Sequence, residues 1–248
     1  MRTPVSLVGA LFLLAAGAPA AAQTAGWGRG YISLNGATQP ANSALSEHFE
    51  FELNAETATA DVHYPSRAGV IVDGGAGIRL WKQIGVGVAV SYFSSSGSAA
   101  IDASIPHPFV FGQPRQVSGE EGAITRAETG THLQLLYFVP TNGRLRFVLS
   151  AGPSMLGLEQ EVVTEVHYSE TYPYDTATFS RATTKRAKGS TVGFNVGADV
   201  QWMFGRRIGL GALVRFTRAR IDIDAASGRT LAVDTGGVQA GGGIRIAF

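Results

Sequence analysis

The sequence predicts an all-β fold, an eight-stranded antiparallel up-and-down barrel with short turns at one end and long loops at the other. Three observations carry that prediction. Apolar residues alternate with small or polar ones at period 2 over most of the 248 residues. Beyond residue 22 no apolar run approaches the roughly 18 residues that a membrane helix needs. The connections between alternating segments are tight and long in strict turn.

Residues 1–22 stand apart. Met1-Arg2-Thr3 is a short basic start, Val5 to Ala16 an apolar core, and Ala20-Ala21-Ala22 supplies the small residues of a cleavage site before Gln23. This pattern predicts a secretory signal peptide, leaving residues 23–248 as one barrel domain. Removing Arg2 takes the formal net charge from +1 to zero, and that balance excludes nucleic acid as a partner. Cysteine is absent, so an exported chain must hold its fold without disulfides, which a large closed sheet can do.

The strands follow in order. Arg29 to Gly36 sets Ile32 and Leu34 against Tyr31, Ser33 and Asn35. Residues 67–80 run through the tight turn Trp81-Lys82-Gln83 into Ile84 to Phe93, where Ile84, Val86, Val88, Val90 and Tyr92 alternate with Gly85, Gly87, Ala89 and Ser91. Residues 131–139 place Leu133, Leu135 and Tyr137 opposite His132, Gln134, Leu136 and Phe138. Pro140-Thr141-Asn142-Gly143 then turns into residues 144–157. The cleanest alternation, residues 191–204, puts Val192, Phe194, Val196, Val200, Trp202 and Phe204 on one face. Gly205-Arg206-Arg207 leads from it to residues 208–216, and the last strand ends GGVQAGGGIRIAF at Phe248.

The long connections run over residues 37–66, 95–124, 158–189 and 223–235. Eight strands with three short turns and four long loops leave both termini at the short-turn end. Connections this long are odd inside a compact soluble domain. FEFELNAETATADVHY, residues 49–64, is strand-like inside the first of them; it reads as a hairpin above the barrel, and two further barrel strands over residues 46–64 are the alternative.

The polar face is crowded with Gly, Ala and Ser, which can line only a narrow interior. The opposite face is then the apolar outside of a cylinder standing in lipid, with short periplasmic turns and long extracellular loops. Closure removes the unpaired sheet edges that lipid cannot hydrogen-bond. Tyr137, Trp202, Phe204 and Phe248, near the turn ends of the apolar faces, suit an interfacial girdle.

The final strand resembles that of Gram-negative outer-membrane proteins, with Gly243, Ile246 and Phe248 at the matching positions and Gly241 where a polar residue is usual. The chain from residue 27 to 248 resembles the small OmpA/OmpX-like outer-membrane barrels. That resemblance implies an integral outer-membrane location and recognition of Gly243, Ile246 and Phe248 by the barrel assembly machinery. It implies little about activity, since one fold hosts many functions.

An eight-strand interior is just wide enough to be filled by side chains. Asp73, Arg79, Arg146, Asp199, Arg215 and Arg245 carry the inward parity and need partners, so they are expected to form a structural network in the lumen. Across the turn at 205–207, Asp199 and Arg215 come out as diagonal neighbours and are expected to pair.

Catalytic patterns are scarce. Asp234-Thr235-Gly236 occurs once, whereas aspartic-protease chemistry needs two carboxylates, so a loop turn is expected there. His167-Tyr168-Ser169 has the His-x-Ser spacing of lipid A deacylases but falls in the longest polar loop. The GGAG at 74–77 precedes a strand, not the helix a phosphate loop uses. His48, His63, His107, His132 and His167 show no metal-ligand spacing. No catalytic residue, cofactor or metal is therefore assigned. The expected function is a non-enzymatic barrel acting structurally or through its extracellular loops, with a small passive channel and a lipid-modifying enzyme as alternatives. Its expected surroundings are outer-membrane lipid, with lipopolysaccharide phosphates within reach of the basic residues Arg181, Lys185, Arg186 and Lys188; the loop ligand is left open.

Overall fold

The computed structural model describes residues 28–40, 44–141, 143–224 and 230–248, so the expected signal peptide lies outside the described residues. Ten strands follow in chain order. They are β1 (Gly30–Gln39), β2 (Leu45–Leu53), β3 (Glu56–Tyr64), β4 (Gly69–Trp81), β5 (Ile84–Pro106), β6 (Pro114–Phe138), β7 (Leu145–Glu170), β8 (Ala177–Met203), β9 (Ile208–Asp224) and β10 (Thr230–Ala247).

Eight of them close a ring. β1 pairs with β4 and β10, and the antiparallel ladder runs from β4 through β5, β6, β7, β8 and β9 to β10. The seam is completed at the chain end, where Gly30 and Phe248 exchange two backbone hydrogen bonds of 3.0 Å. β2 and β3 stay outside the ring. They form a hairpin whose β3 pairs with the upper part of β5, Thr59 to His63 against Ser104 to Ala100. Residues 46–64 are thus the hairpin above the barrel, and its tight turn at Asn54-Ala55 has φ of 51° and 62°, as a twisted two-residue hairpin loop requires.

The lower wall is inside out relative to a water-soluble sheet. Leu34, Val72, Val86, Leu135, Val196, Leu210 and Ile244 are all exposed on the outer surface. Asn35, Asp73, Ser91, His132, Asn195, Arg215 and Arg245 are buried inside. An exposed apolar surface of this extent has no stable place in water. It is a lipid-facing belt, bordered at the turn end by Trp81, Tyr137, Trp202, Phe204 and Phe248 and higher up by Tyr92 and Phe194.

Above the belt the same two faces exchange chemistry. On β9 the inward positions pass from Arg215 and Thr217 to Ala219, Ile221 and Ile223, while the outward ones pass from Leu210 and Val214 to Arg218, Arg220 and Asp222. On β5 the inward set becomes Ala99, Ile101, Ala103 and Ile105. Here the ring opens. β6 and β7 stop pairing above Arg126↔Gln160, and β8 and β9 above Phe194↔Arg218. The expected loops at 95–124 and 158–189 are instead mostly strand, because a sheet that leaves lipid must turn its apolar side inward and can then continue as a water-soluble structure. Phe49, Val62, Ile101, Ile105, Val117 and Val163 build its main core. Edge amides freed by the opening are capped by side chains: Val163 N donates to Tyr64 Oη (2.7 Å), Thr125 N to Glu161 (2.8 Å) and Ala182 N to Glu121 (2.6 Å).

Candidate functional site

Outside the lipid-facing belt, the described residues concentrate polar chemistry in the lumen and exposed apolar surface at the extracellular tip. Inside the lumen, the inward parity of each strand delivers the predicted residues, and glycines opposite them supply the room. Arg245 lies against Gly211, so its guanidinium occupies space that any side chain there would take, and Gly197 lets the Cβ of Arg215 and the hydroxyl of Ser150 approach closely.

Arg245 forms a bidentate pair with Asp199, Nε to Oδ2 at 2.9 Å and Nη2 to Oδ1 at 2.8 Å, and its Nη1 donates to Asn35 Oδ1 at 2.6 Å. Asn35 Nδ2 donates to Asp73 Oδ1 (2.9 Å), and Asp73 Oδ2 accepts from Arg215 Nη2 (2.7 Å). Arg215 Nε then donates to Gln239, Gln239 to Gln39, and Gln39 to the carbonyl of Gly236, at 2.9, 3.1 and 3.1 Å. Gln201 joins at the other end through Asp199 Oδ2 (3.0 Å). The chain of contacts crosses the lumen and balances two arginines with two aspartates. A void of about 20 Å³ remains among these side chains, room for about one water.

The expected Asp199–Arg215 pair is not formed. The two are diagonal across β8 and β9, with Gly197 opposite Arg215 and Leu213 opposite Asp199, as the parity implies. An arginine reaches across a lumen this narrow, however, and each finds its carboxylate on another strand: Arg215 on β4, Arg245 on β8. Arg79 and Arg146 face inward as predicted but lie half-buried at the periplasmic mouth, below this network. An apolar layer of Tyr31, Leu136, Phe138 and Val148 packs at that end.

Asn195 and His132 escaped the prediction as a linked pair. The β6–β7 ladder is interrupted between His132↔Ser154 and Leu135↔Ala151, where Pro153 has no amide hydrogen to give. Asn195 Nδ2 lies within hydrogen-bonding distance of the carbonyls of Gly152 (2.9 Å), Pro153 (3.2 Å) and Leu133 (3.4 Å), supplying a donor where lipid could not. The same amide bonds Ser154 Oγ, which bonds His132 Nδ1 (2.8 Å), while His132 Nε2 bonds Ser91 Oγ (2.9 Å). A proline on the lipid face was the signal that could have located this repair.

Asp234-Thr235-Gly236 lies within β10, not in a loop turn. Gly236 has φ +88°, its amide donates to Glu128 (3.0 Å), and Arg126 holds Glu128 (2.8 Å) and the Asp234 carbonyl (2.9 Å). His167 Nε2 is bonded to Thr183 Oγ1 (2.8 Å).

The tip joins two hairpins. Residues 107–113 connect β5 to β6, and residues 171–176 connect β7 to β8. His107 Nδ1 accepts the amides of Phe109 and Val110 at 3.1 Å each, and Gly112 N donates to Glu56 at 3.2 Å. Buried Arg115 ties the two hairpins together through Glu170, the Tyr174 carbonyl (2.8 Å) and the Pro106 carbonyl (3.0 Å). Below them, burial pushes the Tyr168 phenol above its ordinary pKa, with Glu170 adding to the shift and Arg115 opposing it. Around this anchored frame Phe109 (74%), Phe111 (77%) and Tyr172 (83%) are left exposed.

No protein-family profile matches the chain, and no curated protein sequence matches it. Solved structures do. The outer membrane protein OprG from Pseudomonas aeruginosa aligns over 90% of this chain and 97% of its own, with a TM-score of 0.50 and 11% identity. Neisserial surface protein A aligns over 88% and 97%, with a TM-score of 0.47 and 11% identity. The outer membrane protease OmpT from Escherichia coli aligns over 88% and 97%, with a TM-score of 0.44 and 9% identity. At such identities the likeness to OprG concerns the fold alone: this chain has the fold of an integral outer-membrane β-barrel.

Proposed function

We propose that this chain is a sealed, non-enzymatic cylinder of the OmpA/OmpX-like kind, whose membrane half is an anchor and whose extracellular half is the working surface. The observation that carries this reading is the filled lumen, where Arg245, Asp199, Asn35, Asp73, Arg215 and Gln239 are bonded across the bore. Such a network is a plug, since water and solutes could pass only by breaking buried charge pairs. The non-enzymatic reading is supported by the histidines: both ring nitrogens of buried His132 are held by serines, and His167 is turned to Thr183 instead of Ser169.

Gly243, Ile246 and Phe248 serve as the assembly signal in this reading. Ile246 and Phe248 are outward, Gly243 is inward, and Phe248 closes the ring against Gly30. Lipopolysaccharide phosphates are met by Arg186, Lys188 and Arg218, which are exposed on the outer face just above the belt. The purified barrel in a planar lipid bilayer is expected to show no open-channel steps. Reproducible steps would reject the plug and favour a passive channel.

A further inference from the structure

We propose that the tip formed by Phe109, Val110, Phe111, Tyr172 and Tyr174 docks onto a zwitterionic lipid surface other than the membrane in which the barrel stands. This rests on the reading that the extracellular half is the working surface. From the last lipid-facing residue of β5, Tyr92, to its end at Pro106, the strand climbs on the order of 45 Å along its length. The aromatics are therefore far from the barrel's own bilayer.

Three features select the occupant. The first is shape and chemistry together: Phe109-Val110-Phe111 is a projecting apolar finger, with Phe109 and Phe111 74% and 77% exposed. A projection inserts, whereas a small ligand needs a concavity. The second is that the polar groups beside it are already occupied. The amides of Phe109 and Val110 go to His107, that of Gly112 goes to Glu56, and Arg115 is held by Glu170 and two carbonyls. A glycan or peptide read by hydrogen bonds finds few donors there, but hydrocarbon needs none.

The third is charge. Residues 106–115 and 170–176, with Glu56, carry the carboxylates of Glu56, Glu170 and Asp175 against the single guanidinium of Arg115, which is buried. An anionic surface is repelled by that balance. A choline headgroup is attracted to it, because its quaternary ammonium can lie against tyrosine faces and near carboxylates. Tyr172 and Tyr174 supply the faces, 6.1 Å apart between centroids, and Phe109 packs edge-on to Tyr174 at 5.4 Å. Exposed Asp175 follows directly in the chain. The frame under them is fixed by Arg115, so little ordering is needed on contact.

The full barrel is placed in nanodiscs, which cover its lipid belt, and mixed with sucrose-loaded phosphatidylcholine vesicles. It is expected to sediment with them, at least about tenfold more than with phosphatidylglycerol vesicles. Phe109→Ser/Phe111→Ser is expected to lose at least about tenfold, and Tyr172→Ser on the other hairpin to weaken sedimentation independently, should the double variant fail to fold. No sedimentation of the native protein, equal sedimentation with both lipids, or undiminished sedimentation of both correctly folded variants would overturn the proposal. Tip-dependent pairing of nanodiscs without vesicle binding would also overturn it, in favour of a second copy. Conductance in planar bilayers tests the sealed-barrel reading separately and is indifferent to any of these outcomes.

Discussion

Asp199→Leu is expected to destabilise the barrel by about 3–5 kcal/mol, the usual cost of leaving one charge of a buried pair without its partner. Arg245 is fully buried, and Asp199 is the carboxylate it holds through two of its nitrogens. Its third nitrogen would keep Asn35, which does not neutralise it. Removing both charges in Asp199→Leu/Arg245→Leu should recover part of the loss, because no buried charge is then left without its partner. It should not recover all of it, because Asn35 then lacks a donor and Gln201 an acceptor, at about 1–3 kcal/mol for each unsatisfied group. Urea unfolding in lipid vesicles, followed by tryptophan fluorescence, gives the three free energies. A single substitution costing under about 1 kcal/mol would show that the lumen admits water freely around Arg245.

Val196→Arg should cost about 1–3 kcal/mol in the same assay, between the midplane and interfacial penalties of a cation on the lipid face of a barrel. Val196 lies in the exposed apolar run on β8, one outward position below Phe194 and, like it, above Trp202. Ser190→Arg, three outward positions further up the strand, should change stability by no more than about 0.5 kcal/mol. Outward Lys188 and Arg186 follow directly above it, where the surface already carries charge. Equal effects at 190 and 196 would mean that no lipid boundary separates them.

The ring was legible because its period is simple. Ile32 and Leu34, Val192 to Phe204 and Ile244 to Phe248 show one apolar face per strand, and three tight turns fix the order in which the strands must close. The hairpin at residues 46–64 was also readable. Partner choice inside the lumen was not: parity says that Asp199 and Arg215 share an interior, but the length of an arginine side chain makes several carboxylates reachable. Which one it takes depends on where glycines leave space, as Gly211 does for Arg245. The strand extensions were hidden for another reason. Ala99, Ile101, Ala103 and Ile105 alternate as clearly as Val86, Val88 and Val90, but their apolar positions have the opposite parity. Apolarity taken as the mark of the outer face makes such a stretch look like loop; the two halves agree once the solvent is allowed to change from lipid to water partway up each strand. The proline on the lipid face marks where the β6–β7 ladder is interrupted, but that Asn195 fills the gap is not written in the sequence, since the repairing residue comes from the next strand around the ring.

That exchange of solvent around an unchanged inward face is the centre of the account, and spin labels along β9 test it directly. The chain has no cysteine, so single cysteines can be placed without altering the background. At 210, 212 and 214 labels should be relaxed by oxygen, which partitions into lipid, and at 218, 220 and 222 by a water-soluble nickel complex. At 213, 219 and 221 they should be shielded from both. Nickel access at 213 would mean an open aqueous bore, and oxygen access at 220 and 222 would mean a lipid belt reaching the top of the strand; either result contradicts a plugged barrel that leaves the membrane at Phe216.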